Sequence, residues 1–434
     1  MGIETITILI VVTMILLMLL GVPLAWITMT LAVGCTLLWL GPSGLPLVAS
    51  RVYGFVSEYV FVAVPLFVLM ACVLERSGVA QDLYRAMHIF AGNLPGGLAV
   101  QTTLVAVVMA AMTGIIGGEI VLLGLIALPQ MLRLNYEPKL AIGTICAGGS
   151  LGTMIPPSVV LILYGLTANV SISDLFLAGF TPGLLLCGLY IGYILIRCTL
   201  DPSLGPPAPI EDRQMPWSEK VALLKGLVLP VMIIVWVLGS IYSGIASVTE
   251  SAAVGVCGAI ASAAIRRELN GSMMRIALIQ TMTTVGILLW LAFGANALIG
   301  IYNIMGGTNY LKGLITGLPL EPIGIIIVMM LILVVLGMFM DWIGILLLTM
   351  PIFVPVAKDL GFDPVWFGIL FCMNMQASYL TPPFGPAAFY LKSVAPPEID
   401  IQMIFKGVLP FVVLQLIGLF LVLFFPEIAL WPIH

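Results

Sequence analysis

The chain has 434 residues, 61% of them hydrophobic and only 8% charged, with a formal net charge of −4. A soluble domain carries roughly a quarter of its residues as charges, so an ordinary globule is excluded. Long continuous apolar runs and a mean hydropathy of +1.20 exclude a transmembrane β-barrel, whose strands alternate over about ten residues. What remains is an all-α polytopic membrane protein. Its net charge says little, because charge acts loop by loop in such proteins. No basic run or stacking platform points to nucleic acid. The seven cysteines lack CxxC spacing and read as small hydrophobes, and two histidines, His88 and His434, make a histidine metal site improbable.

Residues 3–41 would span roughly 58 Å as one helix, nearly twice a hydrocarbon core, so a break is expected at Gly21-Val22-Pro23. This N-terminal run lacks a basic n-region and an A-x-A site, and is expected to stay as membrane helix. A half-polar connector (42–58) leads to an apolar span closed by Glu75-Arg76-Ser77-Gly78. Residues 79–92 place Leu83, Met87 and Phe90 on one face, as an interfacial helix does. Two short arms within 98–134 flank the turn MTGIIGGEIV and read as a re-entrant hairpin. Residues 138–169 form a helix broken at AGGSLGTMIPPS, and a plain span follows at 173–200. The Pro-rich, charged segment 201–220 reads as a cytoplasmic linker. Spans at 221–243, 248–265 and 273–303 and a second interfacial helix at 308–317 come next. A second hairpin (322–357) holds Asp341, a second broken helix (364–394) holds NMQASYLTPPFGP, and a last span covers about 403–426.

These elements divide into N-terminal scaffold helices (1–58), a first repeat (59–200), the linker, further scaffold helices (221–272) and a second repeat (273–434), with about 11–12 membrane helices plus two hairpins. A shift of 226 pairs Pro138 with Pro364, Cys146 with Cys372, Pro156 and Pro157 with Pro382 and Pro383, Tyr164 with Tyr390, and Asp174 with Asp400. A shift of 222 pairs Glu119 with Asp341 and Pro129 with Pro351. The loop RLNYEPK is basic while its counterpart AKDLGFDP is not. Placing the first inside also gathers Arg76, Arg85, Arg213, Lys220, Lys225, Arg266, Arg267 and Arg275 on the cytoplasmic side. The repeats are therefore expected to be inverted.

In hydrocarbon, backbone groups freed by Gly and Pro must be satisfied by protein, water or ions. Na⁺ is a hard cation that unwound carbonyls and helix C-terminal ends can bind. One expected site joins Thr113, Gly114, Gly117, Gly118 and Glu119 at the first tip to Gly149, Ser150, Gly152 and Thr153. The other joins Gly337, Met338 and Asp341 to Asn374, Gln376, Ser378 and Thr381. A substrate anion is expected between them, near Glu119, Pro156, Pro157, Pro382 and Pro383, where half-helix N-termini favour negative charge. Each feature has a plainer reading. Paired Gly and Pro also serve packing or kinks, Glu119 or Asp341 can cap a half-helix, and Asn296 and Asn303 can be interhelical hydrogen-bonders.

The segments AGGSLGTMIPPSVVLILYG, MDWIGILLLTMPIFVPVA and GFDPVWFGILFCMNMQASYLTPPFGPAAF, with PLFVLMACVLERSGVAQDLY and NLPGGLAV, resemble the large membrane subunit of tripartite ATP-independent periplasmic (TRAP) transporters. The likeness extends over essentially the whole chain. It implies an inverted-repeat, elevator-type carrier with sodium sites at the hairpin tips and facing breaks, in the inner membrane of a bacterium or archaeon. It also implies a small four-helix membrane subunit, expected as a separate polypeptide, and a periplasmic substrate-binding protein that delivers an organic acid. The alternatives are a stand-alone ion-coupled carboxylate carrier, a passive channel, and an intramembrane enzyme using Glu119 and Asp341 as a carboxylate pair. The last lacks a GxGD, HExxH or GxSxG signature.

Overall fold

Helices stop where Gly and Pro interrupt the apolar runs. The structure, a computed structural model, describes residues 2–87, 94–114, 117–207 and 225–433, and among these every regular element is helical. The end of the first expected interfacial helix and most of the 201–220 linker lie outside the described residues. Helices α1 (Ile3–Leu19) and α2 (Leu24–Trp39) are separated at Gly21, which takes φ +79°, and at Pro23, which N-caps α2. The expected connector 42–58 contains a helix of its own, α3 (Leu45–Val56). Its start follows from Pro46 in the first turn, where a missing N–H costs nothing.

The elements of the first half are α4 (Ala63–Arg76), α5 (Val79–Met87), hairpin arms α6 (Gly97–Thr113) and α7 (Gly118–Arg133), the broken pair α8 (Pro138–Ser150) and α9 (Val159–Ala168), and α10 (Ile172–Leu200). After α11 (Val228–Tyr242) and α12 (Val248–Ile265) the order recurs. Helix α13 (Gly271–Ile304) matches α4 and α14 (Gly307–Thr316) matches α5. Arms α15 (Pro322–Gly337) and α16 (Trp342–Asp359), the broken pair α17 (Pro364–Leu380) and α18 (Pro386–Lys392), and α19 (Ile401–Phe424) follow, with α20 (Glu427–Leu430) at the end. Seven described segments are long and apolar enough to cross a membrane, and five shorter apolar helices include both first arms of the hairpins and α9.

The two halves interlock. Helix α2 packs along α13, and α12 packs along α4, so each half supplies the partner of the other's long helix. Helix α8 lies against α19 at a close crossing, where a Cβ on Gly143 would stand 2.3 Å from the Gly407 carbonyl oxygen. Small residues let backbones approach this way in the absence of a hydrophobic drive between lipid-facing helices. The Tyr164 hydroxyl on α9 donates to the Pro364 carbonyl at 2.6 Å, and its ring occupies the space that a side chain at Gly368 would need. Asp363 and Asp400 cap α17 and α19 by accepting the Val365 and Met403 N–H groups, each at 2.6 Å.

Arg266, just past α12, clamps the turn between α4 and α5. Its Nε donates to the Ser77 carbonyl at 2.6 Å, one Nη to the Gly78 carbonyl at 3.0 Å, and the other pairs with Asp82. Arg266→Ala leaves two C-terminal carbonyls and a carboxylate without this partner. We expect a loss of about 2 kcal/mol, read as a lower thermal unfolding midpoint in detergent, while Arg266→Lys recovers only part of it because an ammonium cannot reproduce the fork.

Candidate functional site

At the first tip, α6 ends in Gly114 with φ +58° and the chain re-emerges at Gly117 with φ +110°, conformations that favour glycine. The Gly114 carbonyl accepts the Val159 N–H at 3.2 Å, and a Cβ on Gly114 would lie 2.0 Å from the Pro157 carbonyl oxygen. Tip and break are therefore seated backbone on backbone. Glu119, in the first turn of α7, is fully buried. Its Oε1 accepts from the Thr113 hydroxyl, and its Oε2 has no hydrogen-bond partner among the described residues. Gly152 lies beside this carboxylate, with room for no more than a hydrogen, since a Cβ would stand 2.9 Å from Oε1. Around it, Thr153 donates to the Ser150 carbonyl (3.0 Å), Ser158 to the Thr153 carbonyl (2.6 Å), and the Gln415 amide to the Ser150 hydroxyl (3.1 Å). Gly149 sits against Ile120 at the start of α7.

The second tip runs from Gly337 through Met338, whose N–H bonds back to Val334, to Asp341. The Asp341 carboxylate caps α16 by accepting the Ile343 N–H at 3.2 Å. Gly337 abuts Ser378, whose Oγ would lie 2.3 Å from a Cβ there. Asn374, Ser378 and Thr381 share one face of the break at i, i+4 and i+7, whereas Gln376, two residues from Asn374, turns away from it. Asn374 donates to the Met330 carbonyl at 2.9 Å, and among the described residues its Oδ1 and both amide atoms of the fully buried Gln376 have no partner. The Ser378 and Thr381 hydroxyls donate to the Asn374 (3.1 Å) and Ala377 (2.6 Å) carbonyls, so their lone pairs remain available.

All four interruptions reach one cavity of about 390 Å³. Gly114 and Gly118 come from the first tip, Asp341, Trp342 and Ile343 from the second, and Val159, Val160, Phe384, Pro386 and Tyr390 from the ends of the breaks. Helices α4 and α13 close the opposite wall with Glu75, Gln280 and apolar residues. Glu119, expected both in the first ion site and beside the substrate, stands with Thr113 and Gly152 outside the cavity wall, while Asp341, expected among the ion ligands, lines the cavity as a helix cap. The double prolines Pro156-Pro157 and Pro382-Pro383 turn the chain, and the residues just after them form the wall. Glu75 and Gln280 escaped the sequence reading, since an acid next to Arg76 at the end of an apolar span resembles an ordinary interfacial terminus. Yet Glu75 Oε1 would be 1.9 Å from a Cβ on Gly118.

Residues 11–428 match the family described as the tripartite ATP-independent periplasmic transporter, DctM component. The chain belongs to the DctM family. It is thus a large permease subunit of a TRAP transporter, a multi-pass membrane protein and not an enzyme. Similar DctM proteins include the C4-dicarboxylate TRAP transporter large permease of Vibrio cholerae, 30% identical over 95% of this chain and 94% of that protein. The 2,3-diketo-L-gulonate large permease of Escherichia coli is 27% identical over 95% of each. An isethionate permease of Oleidesulfovibrio alaskensis, named DctMQ, is 28% identical over 95% of this chain but only 64% of that longer protein. Among solved structures, the Alcanivorax borkumensis YdaH transporter superposes with a TM-score of 0.62 at 18% identity, covering 95% of this chain and 97% of that one. That likeness bears on the fold alone.

Gly114→Ala places a Cβ in the path of the Pro157 carbonyl on a left-handed residue. Transport through this DctM subunit is expected to fall at least tenfold in protein that still purifies as a monodisperse species, measured as uptake in proteoliposomes. Gly313→Ala, which meets open space, leaves uptake unchanged.

Proposed function

We propose that this chain is the large permease of a sodium-coupled, binding-protein-dependent secondary transporter that imports an organic acid across a bacterial inner membrane. The observation that carries the reading is the single cavity reached by both hairpin tips and both breaks. Transporters built from internal repeats bind cargo where broken helices converge. In this reading the unit made of α6–α9 and α15–α18 moves, elevator-like, against a scaffold of α1–α4 and α11–α13. Its partners are a periplasmic substrate-binding protein and a small four-helix membrane subunit on a separate chain. The V. cholerae relative's name supports a carboxylate cargo, and the DctMQ name supports the pairing of a large with a small component.

Na⁺ is the coupling cargo in this reading. Glu119 Oε2 is a buried carboxylate oxygen without a partner among the described residues, beside Thr113 and the unwound turn at Gly152, and a hard cation satisfies it. At the second break the Ser378 and Thr381 hydroxyl oxygens, the unpaired Asn374 Oδ1 and the Gly337 and Met338 backbone supply neutral oxygens.

The test is uptake into proteoliposomes of this chain with its small subunit, with and without the binding protein, across an imposed Na⁺ gradient. Uptake is expected to require both. Thr113→Val and Ser378→Ala are each expected to raise the half-saturating Na⁺ concentration about tenfold, the scale of one lost hydroxyl ligand. Uptake driven by ΔpH alone and indifferent to Na⁺ overturns the ion assignment; uptake without the binding protein makes the chain a stand-alone carrier.

A further inference from the structure

The central cavity carries negative charge that an organic dianion would have to oppose. Glu75 and Asp341 both line it, and no Lys, Arg or His stands among its described lining residues. The two residues between Gly114 and Gly117 are isoleucines and bring no charge. Arg76, next to Glu75, turns its guanidinium to the Gln280 side-chain oxygen and is not part of the wall.

The helix starts that would hold a substrate carboxylate are already faced by the protein's own acids. Asp341 accepts the Ile343 N–H at the start of α16. Glu75 Oε1 crowds Gly118, the first residue of α7. Positive helix ends attract one anion, and here that anion is supplied internally. The only hydrogen bond to the Glu75 carboxylate among the described residues is the 3.5 Å contact from Gln280.

Aromatic rings stand in the wall of the cavity beside aliphatic side chains such as Val68, Val159 and Ile287. Trp342, Tyr379, Phe384 and Tyr390 line it, and the two tyrosine rings stack with centroids 6.4 Å apart at 23°. Carboxylates set among aromatic faces form the environment that holds an alkylated ammonium group, which is attracted to both and sheds water easily.

We propose, granting the transport reading above, that the cargo is a zwitterion: an organic acid that also carries a carbon-substituted, positively charged nitrogen. The nitrogen sits between Glu75, Asp341 and the rings of Tyr379 and Tyr390. The Thr284 hydroxyl on the α13 wall, together with the tyrosine hydroxyls, offers neutral donors to the carboxylate end.

Thermal unfolding of the purified permease with its small subunit, at saturating Na⁺, tests this with glycine betaine, ectoine and L-proline against succinate and gluconate. At least one zwitterion is expected to raise the midpoint, while succinate and gluconate do not. Its half-saturating concentration is expected to rise about tenfold in Glu75→Gln and in Asp341→Asn, each judged against its own ligand-free midpoint. Should both variants fail to fold, the wild-type selectivity decides. The proposal is overturned if succinate or gluconate stabilises as well as the best zwitterion, or if no zwitterion stabilises. Sodium-driven, binding-protein-dependent uptake of succinate or gluconate would uphold the transport reading while sinking this one. Absence of sodium-dependent uptake for every compound would sink the transport reading itself.

Discussion

Backbone polarity in a medium without water is the constraint on which this structure rests. A helix that stops inside the hydrocarbon layer exposes carbonyls or N–H groups that lipid cannot bind, so each stop has to be answered by protein or by cargo. The chain stops in this way at four places and sets them against each other. Gly114 answers Val159 across the first tip and break, and Asp341 answers Ile343 at the second tip. Among the buried side-chain atoms of the described residues, Glu119 Oε2 and Asn374 Oδ1 stay without a partner beside these stops. Those remainders define where something else must bind.

The elements responsible were legible because they break strong local rules. Paired prolines inside an apolar run cannot continue a helix, and an acid at matching positions of both copies of a repeat is costly in hydrocarbon. The first and second breaks, both hairpins and the acids Glu119 and Asp341 could all be picked out for that reason. Helix α3 was less visible, since its mix of Ser50, Arg51 and apolar residues has the composition of a connector. The partition of the acids was invisible. Glu119 and Asp341 occupy matching sequence positions, yet one stands against Gly152 behind the tip and the other faces the cavity, and the residue matching Gly152 in the second repeat is Ser378, which packs on Gly337. That difference lies in pairs far apart in the chain. Gln376 shows a finer limit, since its place in a polar run suggests membership of a site from which helical periodicity turns it away.

Glycines do more than break helices here. Gly143 meets the backbone of α19, and Gly368 makes room for Tyr164, whose hydroxyl reaches the start of α17. These contacts join the broken helices of one half to elements of the other. They are short and specific, and the Tyr164 contact is internal to the set of helices that carries the tips. Each substitutes van der Waals contact and directed hydrogen bonding for a hydrophobic drive that does not operate between helices in lipid.

The boundary between that set and the long helices α4 and α13 is built differently, and the contrast bears on how the proposed movement can occur. Along the cavity, α4 presents Val68, Ala71 and Cys72 and α13 presents Ile287 and Leu288, side chains without directed bonds to the tips. The charged group that comes nearest to a tip is Glu75, whose Oε1 stands beside Gly118 and whose hydrogen bond comes from Gln280 on its own side of the boundary. A unit whose internal bonds are many and whose boundary is smooth shifts as a body, because sliding breaks little while deformation breaks a great deal. Local melting of a tip, by contrast, would strand Glu119 and the Gly114 carbonyl at the same time. Rigid displacement is therefore the movement this distribution of bonds favours.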